Sequence, residues 1–549
     1  MRKKLAVPTL LAAALLFIVL LGGATGADAA DDNDVVLPVT HHVWNGVIGV
    51  AADSTSGSIG VSSIVNPPSP ICTSTAPNTD CEGPAPHNET AIAVNPTNTS
   101  NIIGNANDYQ LRLSPGGTVY ETVLTRAHVS FDGGSHWAMY PIAYPDYTST
   151  GDPGIAFDAD GKAYLSTLGF RWSQNRFCCT NPDILVSTSS DGGKTWSFPN
   201  RVASGTGTFG SPGILNDKEA ITAWGHGNAI VTWTIFNQGF RGSYISSPIY
   251  DSVTHNGGKT WSAPQQISGS ASFCAGAQGG TACNQDQGSV PVVAADGSIY
   301  VSFLNYSNDP AGRDQYLVAK VNPTTGALAA GPYKVAGLVD GFHDFPISID
   351  GLPTYQDSEF RTWAFGNIAA DPTNAQHLAV VWSDMRNSTL PAPADPYSAT
   401  TNSDIVVSQS FDGGQTWSSP TALARANDQF MPWSAYDSSG HLQIGFFDRS
   451  YDSANHKYGY TLASEASLGS LTFTTTQLTT ALSDPTKNDR WFAGRTPNAA
   501  FPHPTTFLGD YSGIATSSAG VAALWTDMTL DATFAGVTRK GEDAFYASH

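Results

Sequence analysis

The 549-residue sequence predicts an all-β fold, a seven-bladed β-propeller of four-stranded antiparallel blades, and three observations carry that prediction. A hairpin pattern recurs seven times, over residues 92–108, 155–167, 221–233, 290–303, 368–382, 433–446 and 514–525. Each copy is a short strand, a tight turn and a longer strand with period-2 alternation of β-branched and aromatic residues. A turn motif of the form Ser/Thr-x-Asp-x-Gly-x-x-Trp occurs at Ser130–Trp137, Ser189–Trp196, Thr254–Trp261 and Ser410–Trp417, with Asn256 replacing the acid in the third copy. Only 13% of residues are charged while Gly numbers 54, which suits an all-β exported protein. A six-bladed ring is the alternative count.

The elements follow in order. Each hairpin supplies the two inner strands of a blade and leads into a third strand. Four third strands run into the turn motif, and two run through degenerate versions at 314–328 and 458–473. In the motif Asp132, Asp191, Asn256 and Asp412 can accept bonds from turn amides, and a glycine supplies positive φ. Trp137, Trp196, Trp261 and Trp417 then fold back as apolar lids. The seventh third strand, Glu542–Tyr546, ends the repeat, and the alternating segment Val35–Val39 is expected to close the ring as the missing outer strand. The propeller is expected over 87–549 as one domain, preceded at 30–86 by this closing strand and a Ser/Pro/Gly-rich loop. Further insertions lie at 268–287, 338–362 and 387–402.

The four turns are Asp-box (BNR) repeats by their residues, and the chain resembles the sialidase-like β-propellers that carry them. The resemblance implies that these turns are structural and lie opposite the ligand cleft. It also implies a secreted glycoside hydrolase acting on terminal sugars of extracellular glycans; a non-catalytic propeller that binds glycan or protein is the alternative. Sialidases clamp the substrate carboxylate with three Arg, use a Tyr activated by a Glu as nucleophile, and use an Asp as acid/base. Their first Arg normally sits in an Arg-Ile-Pro motif. This sequence has none, the matching stretch being Asn88-Glu89-Thr90-Ala91-Ile92, and seven blades is one more than sialidases usually have.

A substitute set comes from the residues that enter each innermost strand and leave each second strand. Arg361, Arg386 and Arg449 are candidates for a clamp, with Arg171 near the same mouth. Tyr511 is the candidate nucleophile, Glu219 its base and Asp108 the acid, while Glu89 and Asp152 form a competing acid–base pair. Asp108 belongs to a series with Asn305, Asp384, Asp448 and Asp527 that also reads as strand-end caps. Asp384, Asp448 and Asp527 offer hard oxygen ligands, so Ca2+ is a candidate ion; no cofactor is otherwise required.

Residues 1–29 read as a signal peptide: three basic residues, an apolar stretch from Leu5 to Leu21, and Ala27-Asp28-Ala29. An uncleaved anchor is the competing reading. Cleavage removes three basic residues and one acid, taking the net charge from −20 to −22. That charge disfavours nucleic acid and anionic membranes. A secreted monomer is expected. Among the six cysteines, Cys72 with Cys81 and Cys274 with Cys283 read as local disulfides, leaving Cys178 and Cys179 as a vicinal bridge unless the pairings cross.

Overall fold

A computed structural model describes residues 87–549 apart from 114–118, 174–175, 208–210, 276–279, 341–343, 349–350, 389–394, 488–506 and 535–536, together with four two-residue strands before residue 87. The predicted signal peptide and Val35–Val39 lie outside the described residues. So do Cys72 and Cys81, and with them the first expected disulfide, as well as the side chains of Cys178 and Cys179. The expected pairing of Cys274 with Cys283 is present as a disulfide.

Seven antiparallel sheets make the ring, one from each repeat. Innermost strands are His87–Val94, Ser149–Phe157, Gly213–Trp224, Asp286–Val293, Asn367–Ala370, Gln429–Tyr436 and Gly513–Ser517, for blades one to seven. In each blade the second strand pairs with the innermost and the third with the second, as the hairpin pattern requires. Blade seven shows three strands among the described residues, the third being Asp543–Ser548. The seven-bladed count holds and the six-bladed alternative does not.

Apolar side chains pack between the faces of neighbouring blades. At the seam, Ile92, Ile102 and Trp137 of blade one bury against Ala522, Leu524 and Tyr546 of blade seven. Burial of such side chains stabilises by about 1.5–3 kcal/mol each. Polar groups align the seam: the His87 amide donates to Glu542 O at 2.7 Å, and Thr90 Oγ1 donates to Leu524 O at 2.7 Å.

The four turn motifs share one scheme of amide bonds, to which Trp137, Trp196 and Trp417 but not Trp261 add an indole bond. In the last, the Gly414 amide donates to Ser410 Oγ at 2.8 Å and the Thr416 amide to Asp412 Oδ1 at 2.9 Å. Trp417 Nε1 donates to Gly414 O at 3.0 Å. Asp132, Asp191 and Asn256 accept the equivalent amide bond at 2.8–3.0 Å. Gly133, Gly192, Gly257 and Gly413 all have positive φ, as the turn requires. Trp137 is buried and Trp196, Trp261 and Trp417 are half-buried. Three of the turns bond directly to the hairpin joining the first two strands: Gly133 N donates to Ser100 O, Gly257 N to Gly227 O and Gly413 N to Gln376 O. The motifs therefore sit at the end of the ring opposite the entry of the innermost strands.

Candidate functional site

At the entry end, five innermost strands share a β-bulge. Pairing with the second strand skips between Asn88 and Ala91, Gly151 and Gly154, Asp217 and Ala220, Gln287 and Val290, and Phe430 and Trp433. Within each bulge one residue has positive φ: Glu89 (55°), Asp152 (57°), Lys218 (51°), Gly288 (67°) and Met431 (47°). A bulge re-aims a side chain, and a left-handed non-glycine residue costs about 1–3 kcal/mol. In blade four a side chain at Gly288 would meet the Phe365 ring, so glycine is required there. In blades one to three the same position carries a charge.

Those charges meet. Lys218 Nζ lies 2.7 Å from Glu89 Oε1, 3.0 Å from Asp152 Oδ2 and 2.7 Å from Asp510 Oδ2. Arg361, from the 338–362 insertion, donates from Nε to Asp510 Oδ1 at 2.7 Å and from Nη2 to Oδ2. Its guanidinium stacks on Phe507. Asn107 Nδ2 donates to Glu89 Oε2 at 2.8 Å, and Gln287 Nε2 to Asp217 Oδ2 at 3.0 Å. All of these charged groups are buried.

Their protonation diverges. Burial opposes the charged form of Asp510, but Arg361 and Lys218 overcome it and hold the acid well below the usual carboxylate range. Burial likewise works against Lys218, and Asp152, Asp510 and Glu89 more than offset it, so it stays charged. Burial, reinforced by Asp152, pushes Glu89 and Glu219 well above the usual range. The same causes raise Asp217 to about 7. Burial, with Glu89 and Asp152 adding to it, pushes the Tyr511 hydroxyl well above its ordinary value.

A cavity of about 280 Å³ runs from this cluster along the ring axis between all seven innermost strands. Lys218, Glu219 and Tyr511 line its charged end beside Phe365 and Trp433. The three rings pack mutually, with centroids 6.0–6.2 Å apart. Neither carboxyl oxygen of Glu219 has a hydrogen-bond partner, nor does the Tyr511 hydroxyl. The other polar side chains lining the cavity are engaged elsewhere. Ser289 Oγ donates to Thr232 Oγ1 at 2.9 Å, Ser434 Oγ to Asn367 Oδ1 at 2.9 Å, and Ser512 Oγ shares a 2.7 Å bond with Tyr460 OH. Tyr436 OH, at the far end, meets His377 Nε2 at 3.2 Å.

The structure thus gathers Tyr511, Glu219, Glu89, Asp152 and Arg361 from the sequence-derived set. It does not assemble the three-Arg clamp. Arg449 is fully buried, with Asp428 at 3.3 Å, Gln356 O at 3.0 Å and Ser358 Oγ at 2.6 Å, and so fastens the 338–362 insertion to blade six. Arg386 folds back on Asp384, two residues away, with Nε to Oδ1 at 2.9 Å, over the Trp382 ring. Arg171 is exposed, its guanidinium 5.4 Å from the Tyr147 ring centroid. Asp108 does not line the cavity: it is buried between His87 Nε2 at 3.1 Å and His128 Nε2 at 2.9 Å. Three others of its series act within single blades. Asp384, Asp448 and Asp527 accept the amides of Arg386, Ser450 and Thr529, two residues on. Among the described residues no group of three or more His, Cys, Asp or Glu is placed to hold a metal ion.

Lys218, Asp217, Gln287 and Asp510 are legible as strand-entry residues, but the sequence does not show that Lys218 binds three carboxylates. Phe365 and Trp433 escaped because aromatic residues at strand starts read as core. Backbone pairing, which reveals the bulges at Glu89, Asp152 and Lys218, is what brings these three charges together.

The fold and site define an all-β, seven-bladed propeller with a buried acid–base cluster at one mouth of its axial cavity. No protein-family model matches the chain, and no curated protein matches it. Solved structures do. A Hadza microbial sialidase covers 78% of this chain and 73% of its own, at 12% identity and a TM-score of 0.40. A sialidase from Streptococcus pneumoniae, solved in a mutant form, covers 88% and 71%, at 10% identity and a TM-score of 0.39. An α-L-arabinofuranosidase of Fusarium graminearum, in complex with arabinobiose, covers 69% and 92%, at 15% identity and a TM-score of 0.36. These are likenesses of architecture. The Cys274–Cys283 disulfide is compatible with an extracellular protein, and no helix among the described residues is long and apolar enough to cross a membrane.

Proposed function

We propose that the protein is an exported glycoside hydrolase whose substrate carries no carboxylate, with Glu219 as the general acid. One observation carries this reading: Glu219, a residue of the cavity lining whose buried carboxyl has no hydrogen-bond partner and is shifted toward its neutral form, adjoins a cluster that also holds ionised acid. Carboxyls driven to opposite protonation states are what cleavage of a glycosidic bond needs. Glu219 gives its proton to the leaving oxygen. Asp152, the carboxylate that acts most strongly on Glu219, takes the water proton or attacks the anomeric carbon. Water supplies the second product's hydroxyl. Shifted toward its neutral form, Glu219 is suited to be an acid rather than the base for Tyr511, so Tyr511 becomes a hydrogen-bond donor to the sugar.

The carboxylate exclusion follows from the cations. Arg361 is bidentate to Asp510, and Lys218 already binds three carboxylates. A sialic acid clamp would have to break those bonds. A panel of fluorogenic neutral glycosides and a sialoside tests this, with Glu219→Gln as the matched variant. Turnover of a neutral glycoside, lowered about 10²–10⁴-fold by the substitution, is expected. Turnover confined to the sialoside, or an unimpaired Glu219→Gln enzyme, would refute it. The second reading, a glycan-binding propeller, is favoured by the mutual pairing of Lys218 and Arg361 with acids, and would be met by binding without turnover.

A further inference from the structure

Two buried acids flank the joint between blades three and four, and among the described residues no cation pairs with either. Asp251 lies within the third strand of blade three, Ile249–Thr254, its carboxyl against Gly326 in the 322–327 turn of blade four. Neither of its oxygens has a hydrogen-bond partner. Asp286 opens the innermost strand of blade four. Its amide donates to Ser247 O at 2.9 Å, just ahead of that blade-three strand, and its Oδ1 accepts from Asn305 Nδ2 at 2.6 Å. Around them Ile249 and Val253 pack with Ile299, Val301 and the Cys274–Cys283 disulfide in one apolar cluster. Acids buried as deeply elsewhere are paired: Asp384, Asp428 and Asp448 hold Arg386, Arg449 and Arg425.

The elements packed around the joint offer no counter-charge. Asn228–Gln238, Gln265–Gln266, Asn367–Ala370, the 268–285 loop and the 322–327 turn carry no titratable side chain apart from the disulfide. Tyr244 OH shares a 2.8 Å bond with Ser247 Oγ, His255 bonds to Asn228 and Thr324, and Lys320 lies over the Tyr300 ring. Gly213–Trp224 brings Asp217, Lys218 and Glu219, but Lys218 is committed to Glu89, Asp152 and Asp510. Burial alone thus lifts Asp251 to about 8, and burial outweighs the hydrogen bonds of Asp286 to drive it well above the usual carboxylate range. We propose that this joint is a pH-sensitive seam, closed while Asp251 and Asp286 are neutral and loosened as they ionise. A buried carboxylate without a partner is costly, so ionisation favours opening to water. Both acids are shifted upward on folding, so their contribution is complete below the ordinary carboxylate range and is lost as pH rises toward 8. Gln287, next to Asp286, donates to Asp217, so the loosened seam reaches the entry cluster.

The test is amide hydrogen exchange of the whole protein between about pH 5 and about pH 8, corrected for the pH dependence of intrinsic exchange. Protection of Ile249–Thr254 and Asp286–Val293 should fall by up to about tenfold per pH unit for each acid. The strand Leu442–Asp448 of blade six, whose Asp448 is paired with Arg425, serves as reference and should lose far less. Asp251→Asn and Asp286→Asn, made separately, remove one ionisation each and should each flatten the fall. Equal losses in the seam and the reference strand, or a fall unmoved by both substitutions, would overturn the proposal. Should a variant fail to fold, the comparison of seam with reference in the unsubstituted protein decides alone.

Discussion

The two ends of the ring solve opposite problems with the same strands. At the turn end, the carboxylate of each turn motif serves the loop that carries it: Asp412 accepts amides three and four residues on, and Asp191 and Asp132 each accept the amide four residues on. At the entry end, Glu89, Asp152, Lys218, Arg361 and Asp510 come from five different blades or their connections and satisfy one another across the axis. Local bonding can be repeated around a ring, and it can fail in one blade without consequence for the next. Convergent bonding depends on every contributor at once.

Three substitutions set that contrast against measurement. The largest effect is expected from Asp510→Asn, which leaves Arg361 and Lys218 short of their shared counter-charge. Breaking a buried ion network in this way costs about 3–5 kcal/mol, read as a lowered midpoint in denaturant unfolding. An unchanged midpoint would mean that the entry end is no more cooperative than the turns. An intermediate effect is expected at Asp251, in the third strand of blade three beside the 322–327 turn of blade four. Burial lifts this acid to about 8, and neither of its oxygens has a hydrogen-bond partner. Its folded value exceeds its unfolded one. Its contribution is therefore complete below the ordinary carboxylate range and is lost progressively as pH rises toward 8. Asp251→Asn should flatten the decline in stability between about pH 5 and pH 8, a difference on the order of a few kcal/mol. Parallel profiles for the two proteins would reject the assignment. The smallest effect is expected from Asp412→Ala, which removes amide bonds from one exposed turn. It should cost about 1 kcal/mol and leave ligand binding untouched, and a change in binding affinity would break the separation of the two ends.

The same contrast explains what could be read from sequence. Blade number was legible because each hairpin and each turn bonds within itself, so composition and spacing record it directly. Tyr511, Glu219, Glu89 and Asp152 were within reach because strand entry places them at one end. Arg386 and Arg449 were misplaced since a position near the mouth does not reveal which carboxylate a guanidinium will turn to; Asp384 is two residues from the first and Asp428 is 21 from the second. The bulges were not legible either. In blades one and three they lie in polar runs, Asn88-Glu89-Thr90 and Asp217-Lys218-Glu219, with no alternation for a bulge to break, and only backbone pairing shows that two residues face one.

The seam between blades one and seven has a consequence for synthesis. Ile92 and Trp137 are made early and are covered by Leu524 and Tyr546, which are made near the end of the chain. Until Asp543–Ser548 emerges, the nascent chain carries an uncovered apolar flank on its first blade. Protease resistance of that blade should therefore arrive late and abruptly, as the final blade docks, rather than growing as each blade is added.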